Sequence, residues 1–344
     1  MTEVTYRNRR AVQIENEVLR VTVLVEGGHI AEILHKATGV NPMWTPHWPS
    51  KEPSQVSPAD SAYGAPADAK MLAGIMGHNL CLDIFGGPSE EEAAAGLTAH
   101  GEASILPYDI HELASGLECH VLLPTPMLLL ERTLRLEGDT IHFSEVVSNL
   151  TSSDRPIAWT QHVTLGAPYL EPGKTQFRAS ATRSKTFEGD FADGRGYLPF
   201  GAEFDWPYAP HKDGGTVDMR VYPGYDVSSA FTTHLMDPEQ AESYFVAWSP
   251  TSKVLIGYAW RREDFPWLGI WEENRSRPQA PWEKREITRG MEFGVSPMPE
   301  TRRAMIERGT LFGQRTYKWI PARTRLTAEY RAFVRVADSI PETL

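Results

Sequence analysis

Residues 117–148 read LECHVLLPTPMLLLERTLRLEGDTIHFSEVVS. The segments Leu117 to Leu123, Met127 to Leu136 and Thr140 to Ser148 are predicted strands, rich in Val, Leu, Ile and Phe at alternating positions. Glu137-Gly138-Asp139 supplies the turn residues between the last two, so the stretch reads as consecutive antiparallel hairpins. Ser104 to Glu112 extends the meander on its N-terminal side. The same style recurs outward. Val12, Ile14 and the Val21/Val23/Val25 series alternate with polar partners, Gly27-Gly28 marks a turn, and Ile30 to Leu34 reads as the returning strand. Downstream, Tyr244 to Trp248, Val254 to Trp260, Trp267 to Glu272, Arg285 to Val295, Thr316 to Tyr317 and Leu326 to Val336 form a second β-rich stretch.

Only two helices are predicted. Ser89-Glu90-Glu91-Glu92 is a capping box. Arg302 to Arg308 lies between Pro299 and Gly309, a proline at the start and a glycine where the helix stops. Strand after strand, with no βαβ rhythm, argues for an all-β sandwich or barrel. Residues 1–344 read as a single domain with loop-rich insertions near 41–72 and 174–211. The Pro-rich stretch Asn41 to Lys70 reads either as a lid or binding element, or as a rim loop covering a sheet edge.

The formal net charge of −11 and the absence of a long Lys/Arg run exclude a nucleic-acid partner, whose phosphates demand a basic footprint. The same charge disfavours an anionic membrane surface. Cys81 and Cys119 stand in unrelated contexts and read as reduced thiols. Residues Met1 to Arg10 are polar, and no apolar run is long enough to cross a bilayer, so a cytoplasmic location is expected.

Five short motifs carry candidate chemistry. In Gly77-His78-Asn79, glycine brackets a bend that projects polar side chains, although by itself His78 reads more readily as a hydrogen-bonded turn histidine. In His100-Gly101-Glu102, strand alternation would put imidazole and carboxylate on one side. Thr160, His162 and Thr164 share one strand parity and make a polar stripe, which suits a ligand face or a solvated one. Glu292 sits among apolar neighbours near the end of an alternating strand. That setting raises a carboxyl pKa and suits a general base; the other reading is a rim carboxylate paired with Arg289 or Arg285. Trp271 offers a flat platform for a sugar ring, or is a core tryptophan.

The order of these blocks resembles the aldose 1-epimerase (galactose mutarotase) superfamily: a Gly-bracketed turn, a His-Gly pair, a strand His, then a late strand Glu followed by Pro297. Gly27-Gly28-His29-Ile30 leading to Asn41-Pro42-Met43-Trp44 is similar to the family's opening hairpin. The resemblance implies a large twisted antiparallel β-sandwich, the galactose mutarotase-like supersandwich, with a few short helices and a small-molecule sugar on its concave face. It implies that Glu292 takes the anomeric proton and His162 protonates the ring oxygen. It further implies that His100 hydrogen-bonds the sugar hydroxyls, that His78 fills the place of a sugar-binding arginine, and that no metal or organic cofactor takes part; Asn79 and Trp271, on the residue readings above, are the other expected sugar-binding residues. The chain departs from the family pattern in two places: His78 stands where the family has arginine, and Phe293-Gly294 follows the base in place of Pro-Gln. For the family's sugar-binding aspartate, Asp226 and Asp237 are the candidates. Two other functions fit the same residues. One is a carbohydrate-binding protein without turnover. The other is a metal-dependent sugar isomerase using His78, His100, His162 and Glu292, whose spacing matches no recognised metal motif.

Overall fold

A computed structural model describes residues 1–57, 60–190 and 194–344. Two large sheets dominate it. The first runs Thr2–Tyr6, Arg9–Glu15, Leu19–Leu24, Ile30–His35, His78–Asp83, Arg155–Gly166, Ile287–Gly294, Trp267–Asn274, Ser228–Met236, Ala181–Thr186 and Glu203–Asp205, with Lys318–Ile320 paired to the Arg155 end. The second runs Gln176–Ala179, Glu242–Trp248, Val254–Arg261, Arg325–Val336, Thr140–Asn149, Leu128–Glu137, Gly116–Leu123 and Asp109–Leu113. Neighbouring strands within both sheets pair antiparallel. The quoted stretch is a three-strand meander in the second sheet, as its turn residues predict. The loop-rich insertion near 174–211 is no linker. Its Gln176–Ala179 strand joins the second sheet and its Ala181–Thr186 strand joins the first.

The two sheets bury one core between them. Leu80, Leu82, Trp159, Val163, Met291 and Phe293 face it from the first sheet; Leu117, Leu130, Phe143, Val147, Phe245 and Tyr258 face it from the second. The central strands of the first sheet are buried on their other face too. There Cys81, Ala158, Phe231 and Trp271 pack with Trp44, Trp48 and Trp282 from the loops. This explains why Ser228–Met236 escaped the sequence reading: every residue of SSAFTTHLM is buried, so the strand has no polar–apolar alternation to detect.

Three corrections concern local structure. The strand expected from Ser104 begins only at Asp109, and Glu102–Ser104 is a short 3-10 turn instead. Glu102 does not orient His100; its carboxylate accepts from Thr125 N at 3.0 Å and Thr125 Oγ1 at 2.8 Å. The two expected helices form, Glu90–Ala94 behind its capping box and Arg302–Arg308 behind Thr301. A third, Pro66–Gly74, lies within the Pro-rich stretch. Of the six positions 69–74 at its end all but Lys70 are buried, so no helical stripe was visible; the proline at its start and Asp68 in its first turn were the available signals.

A buried ion pair between neighbouring strands of the second sheet anchors a network that reaches across the intersheet core. Arg132 Nε donates to Glu145 Oε1 at 2.7 Å, and Glu145 also accepts from Trp159 Nε1 at 2.9 Å, Gln161 Nε2 at 2.7 Å and the Tyr330 hydroxyl at 2.8 Å. Removing one partner leaves a charge stranded away from water. Glu145→Leu is therefore expected to lower the unfolding free energy by about 3–5 kcal/mol, measured by denaturant titration.

Candidate functional site

Antiparallel register sets the centre of the site. Residue 162 lies opposite Glu292 on one side and Asn79 on the other, and Glu292 lies opposite Gly269. Residues at these matched positions point to the same face, away from the intersheet core. His162 Nε2 comes within 3.1 Å of Glu292 Oε1, both side chains buried. The contact lacks hydrogen-bond alignment, and Glu292 Oε1 has no hydrogen-bond donor. On its other nitrogen, His162 Nδ1 lies 3.0 Å from Thr164 Oγ1, which fixes the ring plane.

Gly290 makes room for the carboxylate and Gly269 for the Phe231 ring beside it. A Cβ at residue 290 would meet Glu292 Oε1 at 2.3 Å, and one at 269 would meet Phe231 at 2.9 Å and Glu292 Cβ at 3.5 Å. Gly290 is thus a close-approach glycine, needed so that Glu292 can lie back over its own strand.

His100 arrives from a loop rather than a strand. Its backbone is in the left-handed region at φ 65°, and Gly101 follows at φ 77°. A non-glycine residue held there costs on the order of 1 kcal/mol, a pattern that clusters at functional sites. The loop is pinned because the His100 carbonyl accepts from Leu82 N at 3.2 Å. Asn79 Nδ2 donates to His100 Nδ1 at 3.2 Å, which leaves the proton on His100 Nε2. The His100 and His162 rings stand 4.7 Å apart.

His100, His162, Glu292 and Trp271 line one cavity of about 400 Å³. The helix Pro66–Gly74 walls it with Asp68, Met71 and Leu72; Phe231, Arg277 and Trp282 complete the opposite side. The Pro-rich stretch therefore contributes a wall. Trp271 packs edge-on to Trp44 at 6.4 Å and Trp282 at 5.9 Å, so it serves the aromatic cluster and the cavity together.

The structure separates His78 from this group. It faces the intersheet core, one residue out of parity with Asn79. There its Nε2 donates to Gln161 Oε1 at 3.0 Å, and the Tyr258 hydroxyl donates to its Nδ1 at 3.2 Å. The expectation that His78 shares the cleft is corrected accordingly. Asn79 is on the correct face but acts on His100 and does not line the cavity. Neither aspartate candidate reaches it: Asp226 is exposed, and Asp237 caps a turn by accepting from Glu239 N and Gln240 Nε2. Arg289 pairs with Glu272 rather than Glu292. Phe231, Asp68, Arg277 and Trp282 were missed; Trp282, behind Pro281, was the one with a visible cue. Among the described residues, no cluster of His, Cys, Asp or Glu is arranged to hold a metal ion, and no helix is long and apolar enough to cross a membrane.

Burial dominates the electrostatics. It raises the Glu292 carboxyl to about 8. It lowers His162 well below the ordinary imidazole value, with His100 adding to the effect, and lowers His100 to about 4. In the cores, His29, His78 and His234 are lowered to about 3. These imidazoles stay neutral when folded but take protons below about 6.5 when unfolded. The stability they contribute is whole above about 6.5 and is lost as the pH falls toward 4 and then 3. Glu292 acts oppositely: its raised value favours the fold below the unfolded carboxyl range, and that contribution fades as the pH rises toward 8. Thermal melts between pH 8 and pH 4 should show the midpoint falling steeply below 6.5, where the five lowered histidines outnumber the opposing carboxyls Glu292, Glu272 and Asp68.

No family model and no curated protein matches the sequence. Solved structures do match the fold. A "putative aldose 1-epimerase" from Klebsiella pneumoniae superposes with a TM-score of 0.70 at 14% identity, over 96% of this chain and 80% of that one. A galactose mutarotase-like protein from Lactobacillus casei gives 0.61 at 15% identity, over 94% and 100%. Another from Clostridium acetobutylicum gives 0.63 at 12% identity, over 98% of each. The chain thus has the galactose mutarotase-like fold and is a distant structural relative of these proteins.

Proposed function

We propose that this protein is a carbohydrate-active enzyme that interconverts sugar anomers by acid/base ring opening. The observation that carries this reading is the His162–Glu292 contact of 3.1 Å on the wall of an aromatic-lined cavity. The pair holds one exchangeable proton near neutrality, because burial favours a neutral imidazole beside a protonated carboxyl. Whichever group holds that proton donates it to the ring oxygen. The other takes the proton of the anomeric hydroxyl, and the bond between the anomeric carbon and the ring oxygen breaks. Rotation of the new carbonyl and reclosure on its other face give the second anomer, and the pair returns to its starting state. Glu292 as base with His162 as acid, or the reverse, use the same single proton. His100 Nε2–H can donate to a sugar hydroxyl, and Trp271 supplies apolar ring surface beside it.

Anomer exchange followed by NMR on a panel of free sugars tests the reading. Glu292→Gln should reduce the catalysed rate by a factor of about 10² to 10⁴ while leaving the fold intact. Catalysis unchanged in that variant would remove the pair from the mechanism. The pH dependence is specific too. A pair that needs one proton loses activity as that proton leaves, so kcat/KM should fall as the pH rises through about 8. Gly290→Ala drives a methyl group into Glu292 Oε1 and should lower kcat by about 10²-fold through misplacement alone.

A further inference from the structure

Arg277 is the one permanently cationic side chain among the residues lining the cavity. It is held unusually firmly for a loop arginine. Its backbone N donates to Glu273 Oε1 at 3.2 Å, and its carbonyl accepts from Lys284 N at 2.8 Å. The guanidinium lies 4.5 Å from the Trp282 ring centroid and 5.6 Å from that of Trp271. Glu273 Oε2 approaches its Nε at 3.2 Å, but Ser276 already occupies both carboxylate oxygens at 2.6 Å, and Nε makes no hydrogen bond. The terminal nitrogens have no hydrogen-bond partner among the described residues and keep some solvent exposure, on a residue that lines the cavity. The side chain is only 17% exposed.

A desolvated guanidinium with free donors, braced between two indoles, is built to receive a planar or tetrahedral oxyanion through paired N–H bonds. Asp68 lines the same cavity but forms no ion pair with Arg277, and burial raises its carboxyl pKa. The charges of Asp68 and Arg277 attract each other, so Asp68 competes with an incoming anion for the guanidinium. A neutral sugar would use the hydroxyl-directed groups, His100 and the acid/base pair, and bring no anionic acceptor to the terminal nitrogens of Arg277, whose Nε alone lies near Glu273.

Resting on the sugar-site reading, we propose that the cavity selects sugars bearing an anionic group, a carboxylate or a phosphate, and that Arg277 pairs with that group. Calorimetric titration of the whole chain with glucose, glucuronate and glucose 6-phosphate, and with the corresponding galacto sugars, tests it. At least one charged sugar is expected to bind about 10- to 100-fold tighter than its neutral counterpart. Which of the two it is identifies the anion. That preference should vanish in Arg277→Gln, shrink in Arg277→Lys, and grow in Asp68→Asn, with neutral-sugar binding unchanged. Asp68→Asn keeps the test alive if the arginine variants fail to fold. Equal affinity for neutral and charged sugars in the unmodified protein, or parallel loss of both in Arg277→Gln, would overturn the proposal while leaving the sugar site standing. Binding of none of these sugars would count against the sugar site itself.

Discussion

The rest of the structure depends on one constraint: the central strands of the first sheet are buried on both faces, and alternation sorts their side chains between a core and a cavity. His162 and Glu292 meet because they occupy opposed positions on adjacent antiparallel strands. A slip of one residue would turn both toward Phe143 and Tyr258 and bring Gln161 and Phe293 into the cavity. Register here is pinned by bulk. Trp159, Val163, Met291 and Phe293 fill the intersheet layer, and none fits the cavity face without leaving a void.

Burial then supplies the chemistry. A carboxyl and an imidazole in contact would ordinarily form a charged pair in water. Enclosed by the helix Pro66–Gly74, the tryptophans and the loop carrying His100, both are driven toward their neutral forms. The same desolvation makes Arg277 costly to keep charged, and the structure answers with ring faces and a neighbouring carboxylate rather than a full ion pair. Gly290 completes the arrangement by giving the Glu292 carboxylate room over its own strand.

Legibility in the sequence followed local periodicity. The meander over 117–148, the Gly27-Gly28 turn, the capping box at Ser89 and the glycine stop at Gly309 are all written in neighbouring residues, and all form. The strand Ser228–Met236 was invisible because burial is uniform along it, and the helix Pro66–Gly74 because its buried residues bunch at the C-terminal end instead of recurring at helical spacing; both lack the contrast that periodicity needs. The error at His78 has the same origin in reverse. A histidine beside an asparagine in a Gly-bracketed turn looks like a site residue, and only knowing that both faces of its strand are buried reveals that the parity assigns it to Gln161 and Tyr258.

By itself, the sequence determined the all-β class, the hairpin order, and which strand residues share a face, since each of these follows from alternation and turn chemistry within a few residues. Only the tertiary structure decided which of the two buried faces carries the cavity, that His100 approaches it from a strained loop, and that Asp68, Arg277 and Trp282 stand around it. Those are contacts between segments far apart in the chain, fixed by sheet pairing and by competition for buried space, and no local pattern encodes them.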